Sequence, residues 1–300
     1  METVYRDCLS DREASQLKEL VESCNLHDGT VYSTPQDADA YALAVREGRI
    51  IGAVCVYRIG STKDGKEEDE LYCFTDPLFR RQAVFSSLLS YISPILRDVL
   101  VFPVYEGPED TAGVLKALSA EKDHDEHFME RKLEKAADGP GPNRAADKLG
   151  PGKAADGLWP DKASDALPEG RECPNGDVKA DGDIKIEVLS ESDLLISSRF
   201  CECSLMSYGE ATVYLYGMLT YAKYQGKGYG SEFMRRVIAL LSSPKAETVL
   251  GKNFSHVERI ILQVSSENIP ALKLYKKSGF HISESLSFYN IKKKDHFPKV

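Results

Sequence analysis

The middle of the chain has almost nothing to bury, and this divides it. From Lys135 to about Asp183 the sequence is rich in Gly, Pro, Ala and Asp and nearly free of large apolar side chains. Lys135, Arg144, Lys153, Lys162 and Arg171 recur every nine residues, and Pro142, Pro151 and Pro160 keep the same register. A nonapeptide calcium-binding β-roll would need paired glycines ahead of each Asp, and those pairs are absent. A segment of this composition cannot repay its ordering entropy, so residues 135–183 are expected to be a disordered linker, with Trp159 an exposed passenger in it. Two folded parts are therefore expected, 1–134 and 184–300. A chain of 300 residues that is 42% hydrophobic can supply two modest cores.

In the first part, Leu17, Leu20 and Val21 recur at helical spacing behind Ser10, predicting a helix over 11–24. Strands are expected at 41–45 and 50–57 around the turn Glu47-Gly48-Arg49, then at 71–75 and 99–104. A helix carries Phe85, Leu88, Leu89 and Ile92 on one face; 111–118 reads as helix and 128–133 as a last strand. In the second part, strands are expected at 184–189, 195–205 and 211–220. A helix over 228–241 follows, then a buried strand over 257–264, a helix over 269–278 and a final strand over 280–291. Asn268 is a good N-cap, Pro270 suits a first turn and Gly279 suits the position after the C-cap. The expected class is α/β, a mixed α+β sheet flanked by helices in each part.

Several functions are disfavoured by the bulk properties. A net charge of −9 argues against a nucleic-acid partner, which needs a positive footprint. No stretch approaches the length of an apolar membrane span. The start, Met1-Glu2-Thr3-Val4-Tyr5-Arg6, has no signal-peptide core. Seven irregularly spaced cysteines do not form a secreted disulfide framework, so a reducing, cytoplasmic compartment is expected. The run Lys292-Lys293-Lys294 leaves a nuclear address open. No metal is expected. Cys201-Glu202-Cys203 reads as two small side chains on one face of a strand, and His124-Asp125-Glu126-His127 as a polar loop entering a strand. Oligomeric state has no sequence signal.

The chemistry-bearing segment runs from Thr220 to Ser231 between a strand and a helix. Gly226, Gly228 and Gly230 let the backbone turn sharply and approach a ligand, and the helix start offers unpaired N–H groups. Lys227 adds positive charge, so the segment reads as an anion cradle. It matches neither the P-loop nor the dinucleotide fingerprint.

Gln225-x-x-Gly228-x-Gly230 resembles the Arg/Gln-x-x-Gly-x-Gly/Ala motif of the GNAT acetyltransferases. The second GNAT block follows at its expected distance as Asn268-x-x-Ala271-x-x-Leu274-Tyr275-x-x-x-Gly279-Phe280. The resemblance covers about 184–291. It implies acetyl-CoA as co-substrate, with Met218, Leu219 and Thr220 splayed from the neighbouring strand and paired with the pantetheine arm. Gln225, Gly226, Lys227, Gly228, Tyr229, Gly230 and Ser231 would hold the pyrophosphate, and Asn268 would contact the coenzyme arm. Tyr275 would protonate the departing thiolate, since a phenol and a thiol have comparable pKa values. The general base is sought among Glu210, Glu258 and Glu267, with Glu210 preferred.

The first part repeats this framework. Thr75, Arg80, Ala83, Phe85 and Ser86 fall on Thr220, Gln225, Gly228, Gly230 and Ser231. Phe85 stands where a glycine is needed, and no counterpart of Tyr275 is found near Leu115, so a degenerate GNAT-like copy in a tandem arrangement is expected. The leading functional expectation is an N-acetyltransferase acting on a small-molecule or peptide amine by direct attack in a ternary complex. The alternative is a non-catalytic acyl-CoA-binding or regulatory module. An interaction protein organised by the linker is a third, weaker reading.

Overall fold

The computed structural model describes residues 1–61, 64–133, 184–209 and 211–293. The expected linker, including Trp159, and the preferred base Glu210 lie outside the described residues. The described chain forms two units: residues 1–125 with 286–293, and residues 126–133 with 184–285.

Unit one begins with β1 (Glu2–Arg6), a strand the sequence reading did not anticipate, and α1 (Asp11–Asp28). Ser10 caps α1 in a full capping box with Glu13, and Gly29 ends it in the left-handed conformation. Strands β2 (Ala40–Arg46), β3 (Arg49–Ser61), β4 (Glu67–Thr75) and β5 (Val99–Val104) follow, with helix α2 (Val84–Ile92) between β4 and β5 and α3 (Glu109–Leu118) after β5. The strand order is β1-β2-β3-β4-β5, closed by the later part of β12 (His281–Lys292). Strand alternation sends two sets of apolar side chains to opposite faces. Leu17, Leu20 and Val21 of α1 pack with Leu43, Ala53 and Phe74 on one face. Leu88, Leu89 and Ile92 of α2 pack with Val54, Leu71 and Leu100 on the other. Leu88 is fully buried there. Leu88→Ala is expected to cost about 2–5 kcal/mol, read as a lower urea midpoint at constant m-value.

Unit two is built on the late residues of β6 (Glu121–Lys132), then β7 (Lys185–Val188), β8 (Asp193–Ser197), β9 (Cys201–Ser207), β10 (Thr212–Thr220) and β11 (Arg259–Ser265). Its order is β6-β11-β10-β9-β8-β7. Helices α4 (Tyr229–Leu241), α5 (Ala246–Leu250) and α6 (Ile269–Lys277) all contribute to one core, where Phe233, Val237, Leu250 and Leu272 meet Cys203, Val213 and Ile260. The other face of this sheet has no described helix of unit two against it.

The units do not coincide with the stretches 1–134 and 184–300. Glu126–Lys132 of β6 pairs antiparallel with Arg259–Ser265 of β11, inside unit two. Ser287–Lys292 of β12 pairs antiparallel with Val99–Val104 of β5, inside unit one. Each half of the chain thus contributes a strand to the unit built mainly by the other half.

Two local expectations are corrected. The strand expected over 195–205 is a hairpin, β8 and β9. Ser198 Oγ accepts from the backbone N–H groups of Phe200 and Cys201 at 3.2 and 3.1 Å and turns the chain without Gly or Pro. The stretch His124-Asp125-Glu126-His127 is strand, not loop. Residues three apart on a strand face opposite ways, so the two imidazoles diverge. His124 stacks on Phe288, and His127 Nδ1 lies 2.8 Å from Ser285 Oγ. No group of three or more metal-ligating side chains occurs among the described residues, and no described helix is long and apolar enough to cross a membrane.

Candidate functional site

The site begins where two parallel strands part. β10 pairs with β11 only at Thr212–Tyr214 against Arg259–Ile261, although β10 runs on to Thr220 and β11 to Ser265. Beyond Tyr214 the two strands share no ladder, which leaves a split with backbone polar groups along its sides. On its other edge β10 carries a bulge. Gly217 and Met218 stand opposite the single residue Cys203, and Gly217 takes φ +60°.

At the end of the split lies the predicted cradle. A 3-10 turn at Ala222–Tyr224 leads into extended Gln225, then Gly226 at φ +71° and Gly228 at φ +86°. Gly228 is the N-cap of α4, and no side chain caps that helix, so its first N–H groups and positive dipole end face outward. A Cβ on Gly226 or Gly228 would meet nothing within 4 Å, so these glycines serve a left-handed backbone and open space above it. Gly230 differs. A Cβ there would sit 2.9 Å from Thr220 Oγ1 and 3.8 Å from both Leu274 Cδ2 and Met218 Cε. It lets α4, α6 and the end of β10 pack together. An uncapped helix start with an open, glycine-lined approach and nearby Lys223 and Lys227 fits a phosphate group.

The other predicted residues distribute as follows. Met218, Leu219 and Thr220 lie along the split end of β10. The Gln225 side-chain amide donates to the Thr220 carbonyl at 3.0 Å, and Lys227 Nζ to the Lys223 carbonyl at 2.9 Å, so both side chains brace the turn from within. Tyr229 stacks on Phe200 at 4.1 Å, with Tyr224 edge-on to both. Ser231 lies in the first turn of α4. Asn268 caps α6 by accepting from Ala271 N–H at 3.2 Å, which leaves its amide NH2 exposed.

Tyr275, on α6, is 6% exposed, edge-on to Phe280, with no hydrogen bond to its hydroxyl among the described residues. Burial drives its pKa up, so the phenol keeps its proton throughout the neutral range. Glu258 and Glu267 are exposed and flank opposite ends of β11. Glu258 is at the end where β10 and β11 are still paired, about 20 Å along the strand from the open end.

Sequence reasoning missed Glu202. It is the buried carboxylate of unit two among the described residues, 5% exposed, and its Oε2 accepts from the Tyr221 hydroxyl at 2.8 Å. Its register partner is Leu219, at the split. The signal lay inside Cys201-Glu202-Cys203: if the cysteines share the core face, the residue between them must face the opposite way. On that opposite face Tyr214 and Tyr216 stack at 5.8 Å, and the Tyr216 hydroxyl donates to the Asp193 carboxylate at 2.9 Å.

Unit one repeats the cradle residue for residue. Pro77–Phe79 forms the same 3-10 turn as Ala222–Tyr224. Arg80 (φ −64°, ψ 155°) matches Gln225 (φ −61°, ψ 153°). Arg81 and Ala83 both take φ +59°, where unit two has Gly226 and Gly228. The parallel pairing of β4 with β5 also stops after Glu68–Glu70 against Val99–Val101. The expected internal duplication therefore holds at the level of backbone torsions.

Residues 199–280 match the model of the acetyltransferase (GNAT) family. No curated protein sequence matches the chain. Among solved structures it is similar to a GCN5-related N-acetyltransferase from Sphaerobacter thermophilus, at 12% identity and TM-score 0.59 over 99% of this chain and 97% of that one. It is also similar to a tandem GNAT protein from the clavulanic acid biosynthesis pathway, at 12% identity and TM-score 0.60 over 98% of each chain. A third likeness is to the GCN5-related glucosamine N-acetyltransferase region of a fungal multi-domain GH3 β-N-acetylglucosaminidase, at 11% identity and TM-score 0.57 over 97% of this chain and 38% of that one. At such identities the likeness is one of fold. Residues 199–280 therefore carry a domain of the acetyltransferase (GNAT) family, and the repeated cradle of unit one gives the chain the fold of a tandem GNAT protein.

Proposed function

We propose that the chain is an acetyl-CoA-dependent N-acetyltransferase whose coenzyme site is in unit two. The observation that carries this reading is the conjunction at β10: a parallel ladder that ends after three residue pairs, followed by a left-handed glycine turn into an uncapped helix. The split suits an arm rich in amides, and the turn suits a diphosphate. Acetyl-CoA supplies the activated acyl group.

The remaining work falls to side chains and amides of the protein. Amide groups of the Gly217–Met218 bulge polarise the carbonyl under attack. The Tyr275 hydroxyl donates its proton to the sulfur as the thiolate departs. The face opposite the helices, with stacked Tyr214 and Tyr216 and the carboxylates of Asp193 and Glu202, suits a cationic amine, which aromatic faces and acids both attract. The amine must lose a proton before or during attack. We assign that proton to Glu202, relayed through the Tyr221 hydroxyl that already donates to it.

Glu202→Gln is expected to lower turnover of alkylammonium acceptors by about 10²-fold, with acetyl-CoA affinity and thermal midpoint nearly unchanged. Tyr221→Phe should give the same loss, and the double variant should lose no more than either single one. An arylamine, which arrives neutral, should be spared. Equal losses for both amine classes would leave Glu202 a packing residue. A thiol-release assay across a panel of amines tests the activity itself, and no turnover with any amine would overturn the enzyme reading.

A further inference from the structure

Unit one holds a cavity of about 460 Å³, a size that accommodates a small molecule. It lies in the split between β4 and β5, under the repeat of the cradle. Its walls are largely apolar: Leu71, Phe79, Val84, Phe85, Phe102 and Val114. Cys24 and Cys73 also line it, and burial pushes the Cys24 thiol up to about 11 and the Cys73 thiol up as well, so both are uncharged.

The polar end of the cavity is already neutralised. Arg80 donates to both carboxylate oxygens of Asp28 at 2.7 Å, with these two side chains 17% and 16% exposed. Arg81 reaches Asp110 at 2.8 Å, and Asp110 also lies 3.6 Å from Arg80. The same four residues line a second, more polar space of about 330 Å³ at this end. In unit two the position of Arg80 is held by Gln225, which donates to a backbone carbonyl, and that of Arg81 by Gly226, which has no side chain to pair. A diphosphate entering unit one would have to displace two carboxylates from their arginines, leaving like charges together in a half-buried place. Phe85 adds a ring where unit two has Gly230.

We propose that the cavity of unit one is a binding site for an uncharged, mainly apolar small molecule, and that the Asp28–Arg80 and Asp110–Arg81 pairs keep phosphate-bearing coenzyme out of it. The backbone of an anion site is retained, but its charge is satisfied from within. Its remaining volume recognises apolar surface.

The test uses the full chain and the neutral, environment-sensitive naphthalene dye prodan, with 1-decanol as competitor. Prodan fluorescence should rise and shift to the blue on binding, and decanol should reverse it. Gly113 lines the cavity, and a Cβ there meets nothing within 4 Å. Gly113→Trp therefore starts from open space at the cavity wall, in a helix where losing Gly raises helix propensity. It and Val114→Trp should each weaken prodan binding at least tenfold, while acetyl-CoA titrates as in the parent. In a Gly228→Trp background, where the cradle of unit two is blocked, CoA should leave bound prodan undisturbed. The proposal is overturned if the parent does not bind prodan, if both cavity-filling variants bind it unchanged, or if CoA displaces it in the Gly228→Trp background. Failure of the acetyltransferase reading would leave the prodan, decanol and cavity-filling results untouched, because none of these needs turnover or bound coenzyme.

Discussion

Gly228→Trp is expected to abolish measurable acetyl-CoA and CoA binding, a loss of at least about 100-fold or roughly 3 kcal/mol. Gly228 is the N-cap of α4 at φ +86°, and the space above it is empty. The first side-chain atom there meets nothing within 4 Å, so the chain should still fold. The left-handed backbone costs a side-chain-bearing residue about 1–2 kcal/mol, to be read as a modest drop in thermal midpoint. The indole would cover the helix N–H groups that the diphosphate needs. Parallel calorimetric titrations of parent and variant decide the point. Heat lost in the variant places the coenzyme in unit two. Heat retained in full would move it elsewhere, and the assignment of the cradle would fail.

The second large effect is at Tyr275. Tyr275→Phe should lower kcat by about 10²–10³-fold while acetyl-CoA affinity changes less than twofold. The ring is buried against Phe280, so the variant keeps the packing and loses only the oxygen. Since burial holds this phenol above its ordinary value near about 10, no alkaline loss of activity from Tyr275 is expected below that pH. The raised pKa also makes it a weaker acid, so donation to the thiolate must be driven by proximity and the dry surroundings. An unchanged kcat would make Tyr275 a core aromatic and nothing more.

What the sequence made legible was local. Glycines at 226 and 228 are demanded by torsions that each residue sets for itself, and Asn268 caps α6 from three residues away. The repeat of the cradle in unit one was readable at Arg80 and Ala83 for the same reason, and their torsions match. What escaped was set by distant partners. Asp28 and Arg80 are far apart in the chain, and nothing near either one announces a bidentate pair. Glu202 acquires its burial from strands on both sides. The exchange of β6 and β12 depends on pairing across most of the sequence, which no local pattern encodes. At Asn268 the cap and the expected ligand contact are compatible: the carbonyl oxygen is spent on the helix, and the amide NH2 stays exposed.

The exchange of strands has a consequence for synthesis. A chain that folds as it emerges from the ribosome usually completes its N-terminal domain first. Here unit one cannot finish early, because the partner of Val99–Val104 is Ser287–Lys292, which is translated long after it. The nascent chain must hold β5 with one edge unpaired while most of the second half is made, on the order of 10 s at ordinary elongation rates. Over that interval the open edge is a template for any passing strand. The order of translation thus makes this protein a candidate for chaperone dependence, and a C-terminal truncation before Ser287 would leave the aggregation-prone intermediate as the end product.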